Sequence, residues 1–92
     1  MENQKIVDYL MSKKVKPQNL GFRYIYEAIE YCLKKGRMPA VTKELYPQIA
    51  KKVGSTASRV ERAIRHEVDQ RGVSNKEFIA TAIIEISAKN SK

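Results

Sequence analysis

Only Gly54-Ser55-Thr56 separates two helical hydrophobic stripes in this chain, and so short a break makes the two helices fold back across one another. The first stripe carries Ile49, Ala50 and Val53, with Lys51 and Lys52 facing away from it. The second carries Val60, Ala63, Ile64 and Val68, the i, i+3, i+4 spacing of a helix buried along one side. Laid out at about 100° per residue, Ser58, Arg62, Arg65, His66 and Asp69 fall opposite that side, with Arg59 and Glu61 at its flanks. Thr56, or Ser55, is well placed to cap this second helix, which spans Ser55 to Arg71.

A helix, a tight turn containing glycine and a second helix make a helix-turn-helix, here over about 42–71. Two uses fit the outward face of its second helix. It is an ordinary solvated surface, or it reads base edges: arginine forks onto guanine O6 and N7, and a carboxylate accepts from cytosine N4. Glu61 is open in the same way, because Ser58 with Glu61 also fits a capping box.

Charge favours a polyanionic partner. Eighteen Lys and Arg against 10 Asp and Glu give a net charge of +8 in 92 residues. That length suits one small domain over 1–92, and 42% hydrophobic with 30% charged residues describes a globular chain. Cys32 is the one cysteine, so no intramolecular disulfide or cysteine-based zinc site forms, and a reducing cytosol is the simpler compartment. The N-terminal stretch, with its short apolar stripe broken by Asp8, is neither a signal peptide nor a membrane span.

Along the rest of the chain the spacing predicts further helices. Ile6, Val7, Leu10 and Met11 mark a first one from Asn3 to about Lys14, ended by the approach to Pro17. Phe22, Ile25, Ile29, Cys32 and Leu33 mark a second, from Asn19 or Leu20 to Lys35, with Gly36 as its stop. Tyr24, Tyr26 and Tyr31 on it are packing aromatics with hydroxyls in solvent, and Cys32 is a small buried hydrophobe. Thr42 is expected to cap a third helix, whose first turn Pro47 makes irregular. Ser74-Asn75-Lys76-Glu77 is a capping box opening a closing helix over about 74–89, with Phe78, Ile79, Ala82, Ile83 and Ile86 inward. Ile84 adds apolar surface beyond that stripe, for core closure or a dimer contact, and Ala88 to Lys92 reads as a frayed tail. The expected fold is therefore all-α, a compact helical domain of about five helices containing the helix-turn-helix.

The run TKELYPQIAKKVGSTASRVERAIRH resembles the C-terminal DNA-binding domain of the sporulation master regulator of endospore-forming Firmicutes, stage 0 sporulation protein A. GFRYIYEAI and SNKEFIATAI resemble the family's second and closing helices, so the resemblance extends from about Ile6 to Ile86. It implies an all-helical effector domain that binds a short DNA box, usually in tandem copies, through the helix after Thr56. It further implies base reading by Glu61 and Arg62, with Arg65, His66 and Ser58 as further base or phosphate contacts. Two features depart from the family: nothing here reads as its receiver domain, and Gln70 to Val73 is a shorter connection than the family's.

The expected partner is thus double-stranded DNA, with room for a homodimer on tandem or paired sites and a nucleoid location in the cytoplasm. Lys43, Lys51, Lys52, Ser55, Thr56, Arg59 and Arg71 are the candidate phosphate contacts. A second hypothesis is a protein-interaction module that associates with, or competes against, a full-length sporulation regulator. RNA binding lacks an aromatic platform. No catalytic residue, metal, cofactor, membrane or small-molecule substrate is expected: the sole histidine, His66, lies among arginines, and the chain has no phosphate-cradling glycine loop and no nucleophile elbow.

Overall fold

The computed structural model describes residues 3–90 and contains five α-helices: α1 (Gln4–Ser12), α2 (Leu20–Lys35), α3 (Tyr46–Val53), α4 (Ala57–Val68) and α5 (Asn75–Asn90). A π-helical turn, Val41–Leu45, leads into α3, and a 3-10 turn, Asp69–Arg71, follows α4. No strand occurs among the described residues. The expected all-α class is what the chain adopts.

α2 is the central element and packs against each of the other four helices. Its inner residues Ile25, Ile29 and Cys32 share one core with Ile6 and Leu10 of α1, Ile49 of α3, Val60 and Ile64 of α4, and Ile79 and Ile86 of α5, and no charged or polar residue is buried among the described residues. Full burial of such an aliphatic side chain contributes about 1.5–3 kcal/mol, against a few tenths for an exposed helix-surface pair. The apolar stripes therefore decide where each helix sits, and the surface charges follow.

α4 approaches the first turn of α2 unusually closely. A Cβ at Gly21 would overlap the Glu67 side chain and lie 2.6 Å from the Ala63 carbonyl oxygen. The Asn19 amide then donates to the Glu67 carboxylate at 3.0 Å, joining the two helices across the same contact. Glycine at position 21 is required by this approach, since its φ is unremarkable and only its missing side chain matters.

Several local expectations are corrected by the structure. α1 stops at Ser12 because Lys14 turns left-handed, φ 65°, and the Val15 N–H reaches back to the Leu10 carbonyl at 3.1 Å. Thr42 caps nothing: Ala40 holds the cap position without a side-chain bond, and the chain enters α3 through the wide turn, with Leu45 N–H on Ala40 and Tyr46 N–H on Val41. That turn is the irregularity expected near Pro47. It leaves proline in the first turn of α3, where a missing N–H costs nothing. Two of the three tyrosine hydroxyls expected in solvent are bonded instead: Tyr31 donates to Glu44 at 2.6 Å, and Tyr26 accepts the Asn3 N–H at 2.6 Å. α5 continues through residues 88–90, which were expected to fray; residues 91 and 92 lie outside the described part.

Cys32 is fully buried, and burial pushes its thiol up to about 11, with Glu44 adding to the effect. The thiol is accordingly neutral in the folded state across ordinary pH.

Replacing Gly21 with alanine is expected to lower the unfolding free energy by about 1–3 kcal/mol, the cost of overpacking, despite alanine's better helix propensity. Urea denaturation measures this. A variant as stable as the parent would mean that α2 and α4 can separate freely.

Candidate nucleic-acid interface

The turn between α3 and α4 is built from two backbone devices. Gly54 adopts φ 69° and ψ 41°, and the Ala50 carbonyl takes the N–H of Gly54 and, at 2.9 Å, that of Ser55, closing α3. Thr56 then stands in extended backbone and its Oγ1 accepts the Arg59 N–H at 3.2 Å, opening α4. Thr56 is thus the cap, with Ser55 as the half-buried residue before it. This placement removes the alternative capping box: Ser58 lies inside the helix and Glu61 is too far along to reach back to a cap N–H.

Val60, Ile64 and Val68 fill the buried side of α4. Ser58, Arg59, Arg62, Arg65 and His66 are exposed, so the fold brings these predicted residues together on one outward face. No ion pair engages Arg59, Arg62 or His66 among the described residues. Glu61 is half-buried at the edge, and its carboxylate lies 3.4 Å from Arg65 Nε across one helical turn. Such an exposed pair is worth a few tenths of a kcal/mol, enough to orient the carboxylate and too little to lock it.

The level of Glu61 is held from behind. The Asn75 amide, at the start of α5, donates to the Glu61 carbonyl at 3.3 Å and to the Tyr46 hydroxyl at 2.9 Å. Burial raises the Tyr46 pKa, with the Asn75 bond opposing it, so the hydroxyl stays protonated as a stable acceptor and donor. The capping box expected at Ser74 is present, with Ser74 Oγ accepting the Glu77 N–H at 3.1 Å and Glu77 Oε1 accepting the Ser74 N–H at 3.0 Å, and it delivers Asn75 to this position. Thr42, Tyr46, Glu61, Arg65, Asn75 and Lys76 line a shallow groove along this flank of α4. Neither Asn75 nor Tyr46 stands out in the sequence, because the bonds that matter join residues far apart in the chain.

The expected phosphate contacts divide. Lys51 and Arg59 are exposed beside the turn, with Thr56, and Lys43 is exposed on the π turn next to the groove-lining Thr42. Lys52 and Arg71 are committed elsewhere. Lys52 Nζ lies 2.9 Å from Glu27 and 3.4 Å from Glu30 on α2. Arg71 donates through Nε to the Glu67 carbonyl at 3.1 Å and stacks its guanidinium over the Phe78 ring, 5.5 Å from the centroid.

The helix carries no acidic residue in its first turn, where the macrodipole favours one, and has arginine there instead. An arrangement that forgoes local stabilisation at a helix N-terminus suits an anion arriving from outside. With this geometry in view, the family model for the sporulation initiation factor Spo0A C terminal matches residues 6–91.

Removing the Thr56 hydroxyl by substitution with alanine is expected to cost about 1 kcal/mol of stability, and serine should keep most of it. Thermal unfolding followed by circular dichroism reads the difference. Equal melting of all three proteins would mean that α4 starts without this cap.

Proposed function

The chain belongs to the family of the sporulation initiation factor Spo0A C terminal, a DNA-binding regulator domain, and on that premise we propose that it reads a specific double-stranded DNA site with α4 in the major groove. The observation that carries this reading is Arg62, exposed at the centre of the outward face of α4 and without an ion-pair partner among the described residues. It can fork onto a guanine edge, while Glu61, released from any capping role, accepts from a cytosine N4. Arg65, His66 and Ser58 flank them as further base or phosphate contacts.

Phosphate contacts that set the register come from Lys43, Lys51, Arg59, Ser55 and Thr56. Lys52 and Arg71 are left out of this set because their charges already face Glu27, Glu30 and Phe78. In this reading the helix-turn-helix and the other helices work as one DNA-binding unit, since α2 packs on all of them. Nothing in the outward face prepares a nucleophile or general base, and binding is the whole of the activity proposed. DNA as the partner puts the protein on the nucleoid.

A second reading rests on Ile84, two-thirds exposed (67%) on α5. It gives the closing helix an apolar contact for a second copy on tandem or paired sites, or for a related regulator. Light scattering at the concentrations used for DNA binding tests it, and a strict monomer both free and on a paired site would remove it.

The main test is a binding titration of a duplex selected from a random library against a scrambled duplex, repeated over a range of salt. Arg62→Ala should cost about 1–3 kcal/mol on the selected duplex and relax one base position. Lys51→Ala should weaken both duplexes alike and reduce the slope of log affinity against log salt by about 0.9. Equal losses on both duplexes for Arg62→Ala would show that it reads no base.

A further inference from the structure

Lys52 sits in the last turn of α3 and reaches back across the helix pair to α2. Its ammonium lies 2.9 Å from Glu27 Oε1 and 3.4 Å from Glu30 Oε1, one helical turn apart on α2. Both carboxylate side chains are largely covered, 12% and 17% exposed, so each needs a cation more than an open surface carboxylate does. Glu30 also accepts from the Tyr26 hydroxyl at 3.4 Å, which in turn accepts the Asn3 N–H at the start of α1. A polar chain therefore runs from the cap of α1 through α2 to α3, and Lys52 is its last member. Lys51, the adjacent residue with the same charge, is exposed and meets no carboxylate at ion-pair distance among the described residues.

The position of this bridge matters because α3 ends one residue later, at Val53. Gly54 and Ser55 close it on Ala50, and Thr56 starts α4. Only Gly54, Ser55 and Thr56 join the last turn of α3 to the helix that carries the outward face.

We propose that Lys52 is a positioning residue for DNA reading: by joining Glu27 and Glu30 it sets the last turn of α3 against α2, and with it the angle at which α4 is presented. The role rests on the reading that α4 contacts bases. It differs from a phosphate contact in a measurable way. A lysine that neutralises a phosphate contributes about 0.9 to the salt slope and acts on every sequence alike, whereas a positioning lysine acts on the selected site alone.

Fluorescence anisotropy with the selected and scrambled duplexes across a salt series tests this on the full chain, using Lys52→Met, Lys52→Arg, Lys51→Ala and the charge swap Lys52→Glu with Glu27→Lys. Lys52→Met should lose about fivefold or more on the selected duplex, the lower end of what one misplaced bidentate base contact is worth, while the scrambled duplex and the salt slope stay as in the parent. Lys52→Arg and the swap should restore selectivity, and Lys51→Ala should show the opposite pattern of a shallower slope and equal losses. A shallower slope with equal losses for Lys52→Met would make it a phosphate contact and overturn the proposal, as would full selectivity in that variant. If Lys52→Met fails to fold by circular dichroism, Lys52→Arg decides: a folded arginine variant without selectivity overturns the positioning role. A parent chain that does not discriminate the two duplexes would remove base reading itself, and the positioning role with it.

Discussion

What α4 can present outward depends on how closely its inner side sits on the first turn of α2. Gly21 lets the Ala63 carbonyl and the Glu67 side chain come down onto α2, and Val60, Ile64 and Val68 then fill the core beyond them. The two effects cooperate: aliphatic burial supplies most of the free energy, and the missing side chain at position 21 sets the distance at which it is realised. Asn19 to Glu67 on one flank and Asn75 to the Glu61 carbonyl on the other hold α4 against sliding or rolling. The face bearing Arg62 is in this sense specified by residues that never reach it.

The distribution of charge follows from the same framework. Carboxylates are few in this chain, and the fold keeps many of them occupied with its own donors. Glu27 and Glu30 face Lys52, Glu44 takes Arg37 and the Tyr31 hydroxyl, Glu67 takes Asn19, and Glu77 takes the Ser74 N–H. The Tyr31 hydrogen bond leads the causes that lower the Glu44 pKa, with Arg37 helping. On α4, Arg65 meets Glu61, whereas Arg59 and Arg62 meet no carboxylate at ion-pair distance among the described residues.

Much of this was legible in the residues. Stripes at helical spacing located all five helices, and Gly36 and Gly54 marked two of their ends, because each takes the left-handed conformation that glycine tolerates best. The capping box at Ser74 and the cap at Thr56 were readable because their partners lie three residues away. Long-range polar partnerships have no such signature. Lys52 reads as an outward lysine until α2 is placed beside it, and Asn19 and Glu67 are 48 residues apart. Thr42 was a plausible cap by type, but Pro47 shifts the entry to α3 into a π turn that begins one residue earlier. The outward face of α4 was legible for the opposite reason, since it is defined by what the core does not use.

Cys32 has a consequence of a different kind. It is fully buried on α2, the helix that every other helix packs against, and burial holds its thiol near 11. Its sulfur can meet a water-borne reagent only in molecules whose bundle has momentarily parted, and only there does it regain an ordinary acidity. The chain thus carries a clock for its own opening. The rate at which this one atom is modified counts how often the central helix is uncovered, and any ligand that tightens the grip of α4 on α2 would slow that clock from a distance.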